Sequence, residues 1–128
     1  MASAGDLATG AEDIGGIAFV GHEVPGAGGG DVRTLALDVR NRLSAERAGV
    51  VAVIGSANGK PSVVVAVNDA GRAAGVSANT LVRAASEVLG GKGGGKDDVA
   101  QGGGSDVSRT GEALTAIRRA LTEGRAGR

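Results

Sequence analysis

"GVVAVIGSANGKPSVVVAV", residues Gly49–Val67, holds two β-branched runs separated by a turn signal, and its reading decides the fold. Asn58-Gly59 suits a type I′ turn, so the two runs are predicted to be adjacent antiparallel strands. Both runs are apolar at successive positions rather than alternating. That pattern fits strands covered by helices on both faces better than a half-exposed hairpin.

Upstream, "GIAFVGHEV" (Gly16–Val24) alternates as a strand does, with Ile17 and Phe19 on one face and Ala18 and Val20 on the other. "PGAGGGD" ends it as a loop. From Asp31, placed as an N-cap, Val32, Leu35, Val39 and Leu43 recur at helical spacing over about four turns. Arg33, Arg40 and Arg47 stand seven apart, which predicts either a basic stripe or an ordinary solvated face. Downstream, "VSANTLVRAASEVLGG" (Val76–Gly91) reads as a fully punctuated helix. Ser77 is its N-cap, Val76 and Leu81 form a hydrophobic staple, and Gly90 is the stop. Leu81, Ala84, Ala85 and Val88 form the predicted buried stripe, with Arg83 pointing away. A short strand near Asp98–Gln101 precedes a last helix over Asp106–Glu123, burying Val107, Leu114, Ile117 and Leu121, and "GRAGR" is a basic tail. Residues 1–13 show no sustained period and read as a tail or the end of a linker. The whole predicts one α/β domain over residues 14–128, a mixed β-sheet flanked by helices.

Composition narrows the chemistry. The chain has 128 residues, 25 glycines, no cysteine, one histidine and one aromatic residue. Thiolate zinc sites, disulfides and cysteine nucleophiles are therefore excluded, and two histidine ligands cannot come from one chain. His22, lone and beside a turn, reads as surface. No cofactor is expected. The absence of a long apolar run or signal-like start predicts a soluble, cytoplasmic protein with no membrane partner. The formal charge is zero, but it is uneven: four basic and seven acidic residues precede Lys60, whereas ten basic and seven acidic follow from it. A polyanion is expected to prefer the second half.

"GGKGGGKDDVAQGGG", Gly90–Gly104, lies in that half. As a flexible spacer it would not need Val99 and Ala100, which suit a buried strand. As a phosphate loop it satisfies G-x-x-x-x-G-K through Gly90, Gly95 and Lys96, but Asp97 stands where a hydroxyl is required, and the motif follows a helix instead of a strand. As a close-approach surface, Gly93, Gly94 and Gly95 present backbone N–H groups, Lys92 and Lys96 supply charge for phosphates, and Gln101 reads a base edge or braces the loop. Aromatic scarcity argues against stacking of single-stranded bases and for recognition of a folded RNA by its shape.

The segment also resembles the GG-x-GGG-x-x-x-x-AQ-x-GG signature of the carboxy-terminal (C-Ala) domain of alanyl-tRNA synthetases, matched by Gly90, Gly91, Gly93, Gly94, Gly95, Ala100, Gln101, Gly103 and Gly104. The likeness extends over roughly residues 14–123. It implies a DHH-associated fold and a domain that binds the elbow of tRNA, alanine tRNA in the first place, and links the aminoacylation and editing centres. By this resemblance, with the residue chemistry above, the nucleic-acid-binding residues are Lys92, Gly93, Gly94, Gly95, Lys96, Gln101 and Gly103, with Arg83 and Asn79 from the neighbouring helix. DHH phosphoesterases share the fold but carry a histidine after the glycines, which is missing here. The chain has room for neither catalytic centre, so it is expected to be a non-catalytic part of the enzyme, with tRNA and the remaining synthetase domains as partners. The alternatives are a protein-interaction module, including a homodimer, and the substrate domain of a DHH-type phosphoesterase.

Overall fold

The computed structural model describes residues 4–123; the basic tail expected at 124–128 lies outside the described residues. The hairpin forms as its sequence dictates. Strand β3 (Gly49–Ala57) pairs antiparallel with β4 (Lys60–Val67). Asn58 and Gly59 turn between them at φ 55° and 75°, the left-handed pair that a type I′ turn requires. β2 (Ile17–Pro25) lies parallel to β3 on its other side, joined to it through α2 (Gly29–Arg42). Beyond β4 come β6 (Val99–Gly103) and β5 (Gly93–Gly95), and β1 (Glu12–Ile14) closes the opposite edge. The six-stranded order is β1-β2-β3-β4-β6-β5, mixed in direction.

Alternation along β3 divides the core between the two faces of the sheet. Val51 and Val53 meet Val32, Ala36 and Val39 of α2, together with Val20, Val64 and Ala66. Val50, Ala52 and Ile54 meet Leu81, Val82 and Ala85 of α4 (Ala78–Val88) and Ala113, Leu114 and Ile117 of α5 (Thr110–Thr122). Each fully buried Leu or Ile contributes about 1.5–3 kcal/mol. The uniformly apolar runs thus follow from burial on both sides.

α4 is punctuated as expected: the Ser77 side chain accepts from the Thr80 N–H, Val76 and Leu81 are both buried, and Gly90 follows at φ 78°. Its buried face is rotated by part of a turn. Val82 and Ser86 are buried where the periodicity points to Ala84 and Val88, because the glycine strand β5 packs against that side while α5 leaves Ala84 and Val88 partly open.

Other expectations need correction. α2 begins three residues early, with Gly28 as an N-cap that makes no side-chain bond, and Asp31 stands in its first turn. This follows from Gly55, where a Cβ would overlap the Ala27 carbonyl and Val32; without one, the loop and the start of α2 lie directly on β3. The arginine stripe does not form. α2 ends at Arg42, and Arg47 beyond it binds the Gly16 carbonyl and pairs with Asp13. Residues 4–14, most of them read as a tail, hold helix α1 (Ala4–Thr9) and β1. Leu7, Ala8 and Ala11 pack on the α2-side core, and Arg118 binds Glu12 at 2.9 Å. Val107 is 41% exposed, because a 3-10 turn over Val107–Arg109 precedes α5 and turns it outward. A short helix α3 (Asp69–Ala73), capped by Asn68, is an element the periodicity does not predict.

Candidate functional site

The glycine segment is neither a spacer nor a phosphate loop. It is an antiparallel ribbon, β5-β6, at the edge of the sheet, with Gly93 opposite Gly102, Gly94 opposite Gln101 and Gly95 opposite Ala100. Lys96 lies between two strands and no helix follows it. β6 also pairs with β4, so of the two ribbon strands it is β5 that has an open side among the described residues. A strand of three glycines has no intrinsic β preference. It forms because β6 offers it a ladder and because the space beside it admits no side chain.

Part of that close approach is intramolecular. A Cβ on Gly93 would sit 2.6 Å from Ser86 Oγ and 2.7 Å from Gly102 Cα, and one on Gly103 would sit 2.7 Å from the Pro61 carbonyl. Cβ atoms on Gly91 and Gly104 would likewise overlap the backbone of Gly103 and Leu89. These glycines seat the ribbon on α4 and β4. Ser86 is buried against them, and its Oγ has no hydrogen-bond partner among the described residues.

Gly94 and Gly95 lie at the groove, although a Cβ on Gly95 would still overlap β6, 2.8 Å from Ala100 Cα. Together with Lys96, Asp98, Val99, Ala100 and Gln101 they line a shallow groove of about 340 Å³ whose other wall is Arg33 of α2. The structure therefore brings four of the sequence-predicted residues, Gly94, Gly95, Lys96 and Gln101, to one place. Lys96 and Gln101 are exposed there. The Gln101 amide reaches the first residue of α2: a Cβ on Gly29 would lie 2.6 Å from Nε2. Asn79 holds the ribbon edge, its Oδ1 accepting from the Gly95 N–H at 3.1 Å. Lys92 is exposed at the other end of β5, and Arg83 is exposed on α4 without lining the groove.

Sequence reasoning does not place Arg33 with the glycines. Its only signal there is membership of the arginine series, which tertiary packing divides. Arg33 and Lys96 are both cationic, with the Asp98 carboxylate between strand and loop. The groove thus offers two cations, a carboxylate, an amide and a side-chain-free wall, a set suited to a polar, negatively charged polymer approaching closely. A larger open groove of about 950 Å³ between α4 and α5, lined by Ala84, Val88, Ala116 and Arg119 among others, contains none of the predicted residues. Among the described residues, no three His, Cys, Asp or Glu side chains gather as a metal site would need. Nor is any helix there long and apolar enough to cross a membrane.

The DHHA1 domain family matches residues 16–123. The chain is 61% identical over 117 residues to the alanine–tRNA ligase of Nocardioides sp. (strain JS614), covering 91% of this chain and 13% of that protein. It is 48% identical to that of Streptomyces avermitilis, covering 96% of this chain and 14% of that protein. The chain thus spans about one seventh of the length of these relatives. Among solved structures it is similar to the C-Ala domain from Aquifex aeolicus alanyl-tRNA synthetase, with a TM-score of 0.78 and 27% identity, covering 88% of this chain and 97% of that one. RecJ from Thermus thermophilus in complex with Mg2+ shares the fold at a TM-score of 0.60 and 17% identity, covering 91% of this chain and 16% of that one.

Proposed function

Because the chain belongs to the DHHA1 domain family and corresponds to the non-catalytic C-Ala domain of alanyl-tRNA synthetases, we propose that it binds the elbow of tRNA, alanine tRNA in the first place, and so links the aminoacylation and editing centres of the synthetase in the cytoplasm. The observation that carries this reading is the groove that Arg33, Lys96 and Gln101 line together with the side-chain-free backbone of Gly94 and Gly95. Cations lining one groove position a phosphate backbone, while the lack of side chains on the ribbon lets a bulky folded surface come close. Phe19 is buried in the core, which leaves no aromatic platform for single-stranded bases. Shape and backbone are then what the domain reads, and selectivity among tRNAs is low, since they share the elbow. Lys92 extends the contact along the ribbon; Arg83 lies on the flank.

The test is a filter-binding titration of the chain against alanine tRNA, another tRNA and an unstructured RNA of equal length, at two salt concentrations. Tighter binding of both tRNAs than of the unstructured RNA supports elbow recognition. Equal, weak and strongly salt-dependent binding of all three would overturn it. The ribbon would then be a protein-packing face, for the rest of the synthetase or a second copy.

A further inference from the structure

Asp97 poses a problem for an RNA-binding groove, because it puts a carboxylate next to Lys96, where a phosphate backbone is expected. Its partners explain its presence. The Ser77 hydroxyl donates to Asp97 Oδ1 at 2.7 Å, and the Ala78 N–H donates to the Asp97 carbonyl at 2.8 Å. Ser77 is itself 6% exposed and caps α4, so the loop is tied to the first turn of a helix anchored in the core. The residues on either side are fixed as well. The Lys96 N–H donates to the Val99 carbonyl at 3.0 Å, the Val67 N–H to the Asp98 carbonyl at 2.7 Å, and the Gly95 N–H to Asn79 Oδ1. The nearby cation Arg72 is paired with Asp69, so it is the Ser77 and Ala78 bonds that hold Asp97.

We propose that Asp97 is a positioning residue: through Ser77 and Ala78 it latches the β5-β6 loop to the N-terminus of α4 and so fixes Lys96 and the neighbouring Gly95 at the groove. The proposal rests on the RNA-binding reading for its consequence but not for its geometry. Without the Asp97–Ser77 bond, the three-residue loop that carries Lys96 between two short strands, one of them all glycine, keeps only its main-chain bonds and the Gly95–Asn79 bond, and part of the ordering of Lys96 has to come from RNA binding. Latched, the cation is preorganised.

Two substitutions separate positioning from charge, because the two roles predict opposite signs. Asp97→Asn keeps an Oδ1 acceptor for Ser77 and removes the negative charge; Asp97→Ala removes both. If Asp97 acts only as a charge near RNA, both variants bind tRNA more tightly than the wild type and alike. If it positions, Asp97→Asn binds at least as tightly as the wild type, whereas Asp97→Ala loses affinity severalfold. Lys96→Ala then adds less than about twofold in the Asp97→Ala background, because the two share one effect. Additive losses, or equal tightening, would overturn the latch. Amide exchange of Gly95 and Lys96 in the RNA-free chain gives a second readout. It accelerates in Asp97→Ala and not in Asp97→Asn while the β3 and β4 amides stay protected; exchange unchanged in both variants also overturns the latch. Should the wild type bind none of the RNAs, the tRNA reading fails on its own and the exchange data still judge the latch.

Discussion

Gly93→Ala tests the packing role assigned to the glycine ribbon. The added methyl would lie 2.6 Å from Ser86 Oγ, 2.7 Å from Gly102 Cα and 3.0 Å from Val82 Cγ1. One of these neighbours is backbone in a paired strand, and another is a serine side chain with its residue 1% exposed, so neither can swing away into solvent. Forcing one methyl into such a site costs about 1–3 kcal/mol. For a domain of this size, about 4 °C of melting temperature is lost per kcal/mol, so the expected drop is about 4–12 °C. The control is the same chemical change at Gly30, exposed in the first turn of α2 with nothing within 4 Å of its Cβ position. There alanine gains stability, up to about 1 kcal/mol, by restricting the unfolded chain and favouring helix. Urea denaturation of both variants, with the slope checked for constancy, reads the two signs directly. A Gly93→Ala protein as stable as the wild type would refute the claim that glycine is required there by packing.

Three further outcomes are expected. Replacing Lys92 and Lys96 together with Ala weakens tRNA binding and flattens its salt dependence by about one slope unit for each phosphate no longer neutralised, and Arg33→Ala does the same by about one; an unchanged slope in filter binding removes the residue from the site. Ser86→Ala leaves stability unchanged or raises it, since a buried hydroxyl without a partner costs about 1–3 kcal/mol; a loss above about 1 kcal/mol in denaturation would show that Oγ has a partner. Asp106 has its carboxyl held below the ordinary value of 3.8 by the Ser108 hydroxyl, then by the Ser108 N–H, with Arg109 adding to it. Its folded pKa being lower than its unfolded one, it contributes stability that is present above the unfolded value and lost as pH falls through the folded one. Asp106→Asn therefore shows a shallower loss of stability below about pH 4 than the wild type, and parallel acid titrations of the two proteins would refute this.

Elements were legible in the sequence wherever neighbours along the chain supply the reason for them. The turn at Asn58-Gly59 needs two residues tolerant of φ > 0, and Ser77 caps its own helix through the Thr80 N–H. The unbroken apolar runs of β3 and β4 required helices on both faces, and α2, α4 and α5 supply them. Residues 4–14 were opaque because their few apolar side chains, Leu7, Ala8, Ala11 and Ile14, have no period of their own. They are ordered by the edge of β2, by the α2 surface and by Arg47 and Arg118 from distant positions. β5 was opaque for the opposite reason, since glycine carries no pattern at all.

The candidate site divides along the same line. The residue chemistry of Gly94, Gly95, Lys96 and Gln101 was readable because they are close in sequence and share one motif. Arg33, far upstream in the chain, joins them only because α2, packed on β3 and β4, brings its first turn up to Gln101. Similarly, that Gly93 and Gly103 are required by Ser86 and Pro61 depends on which helix and strand lie against the ribbon. By itself the sequence determined the hairpin, the well-capped helix and the chemical character of the glycine segment, because these rest on backbone preference and short-range hydrogen bonds. Tertiary structure alone decided which glycines face inward and which border the groove, because excluded volume and charge proximity depend on distance in space and not along the chain.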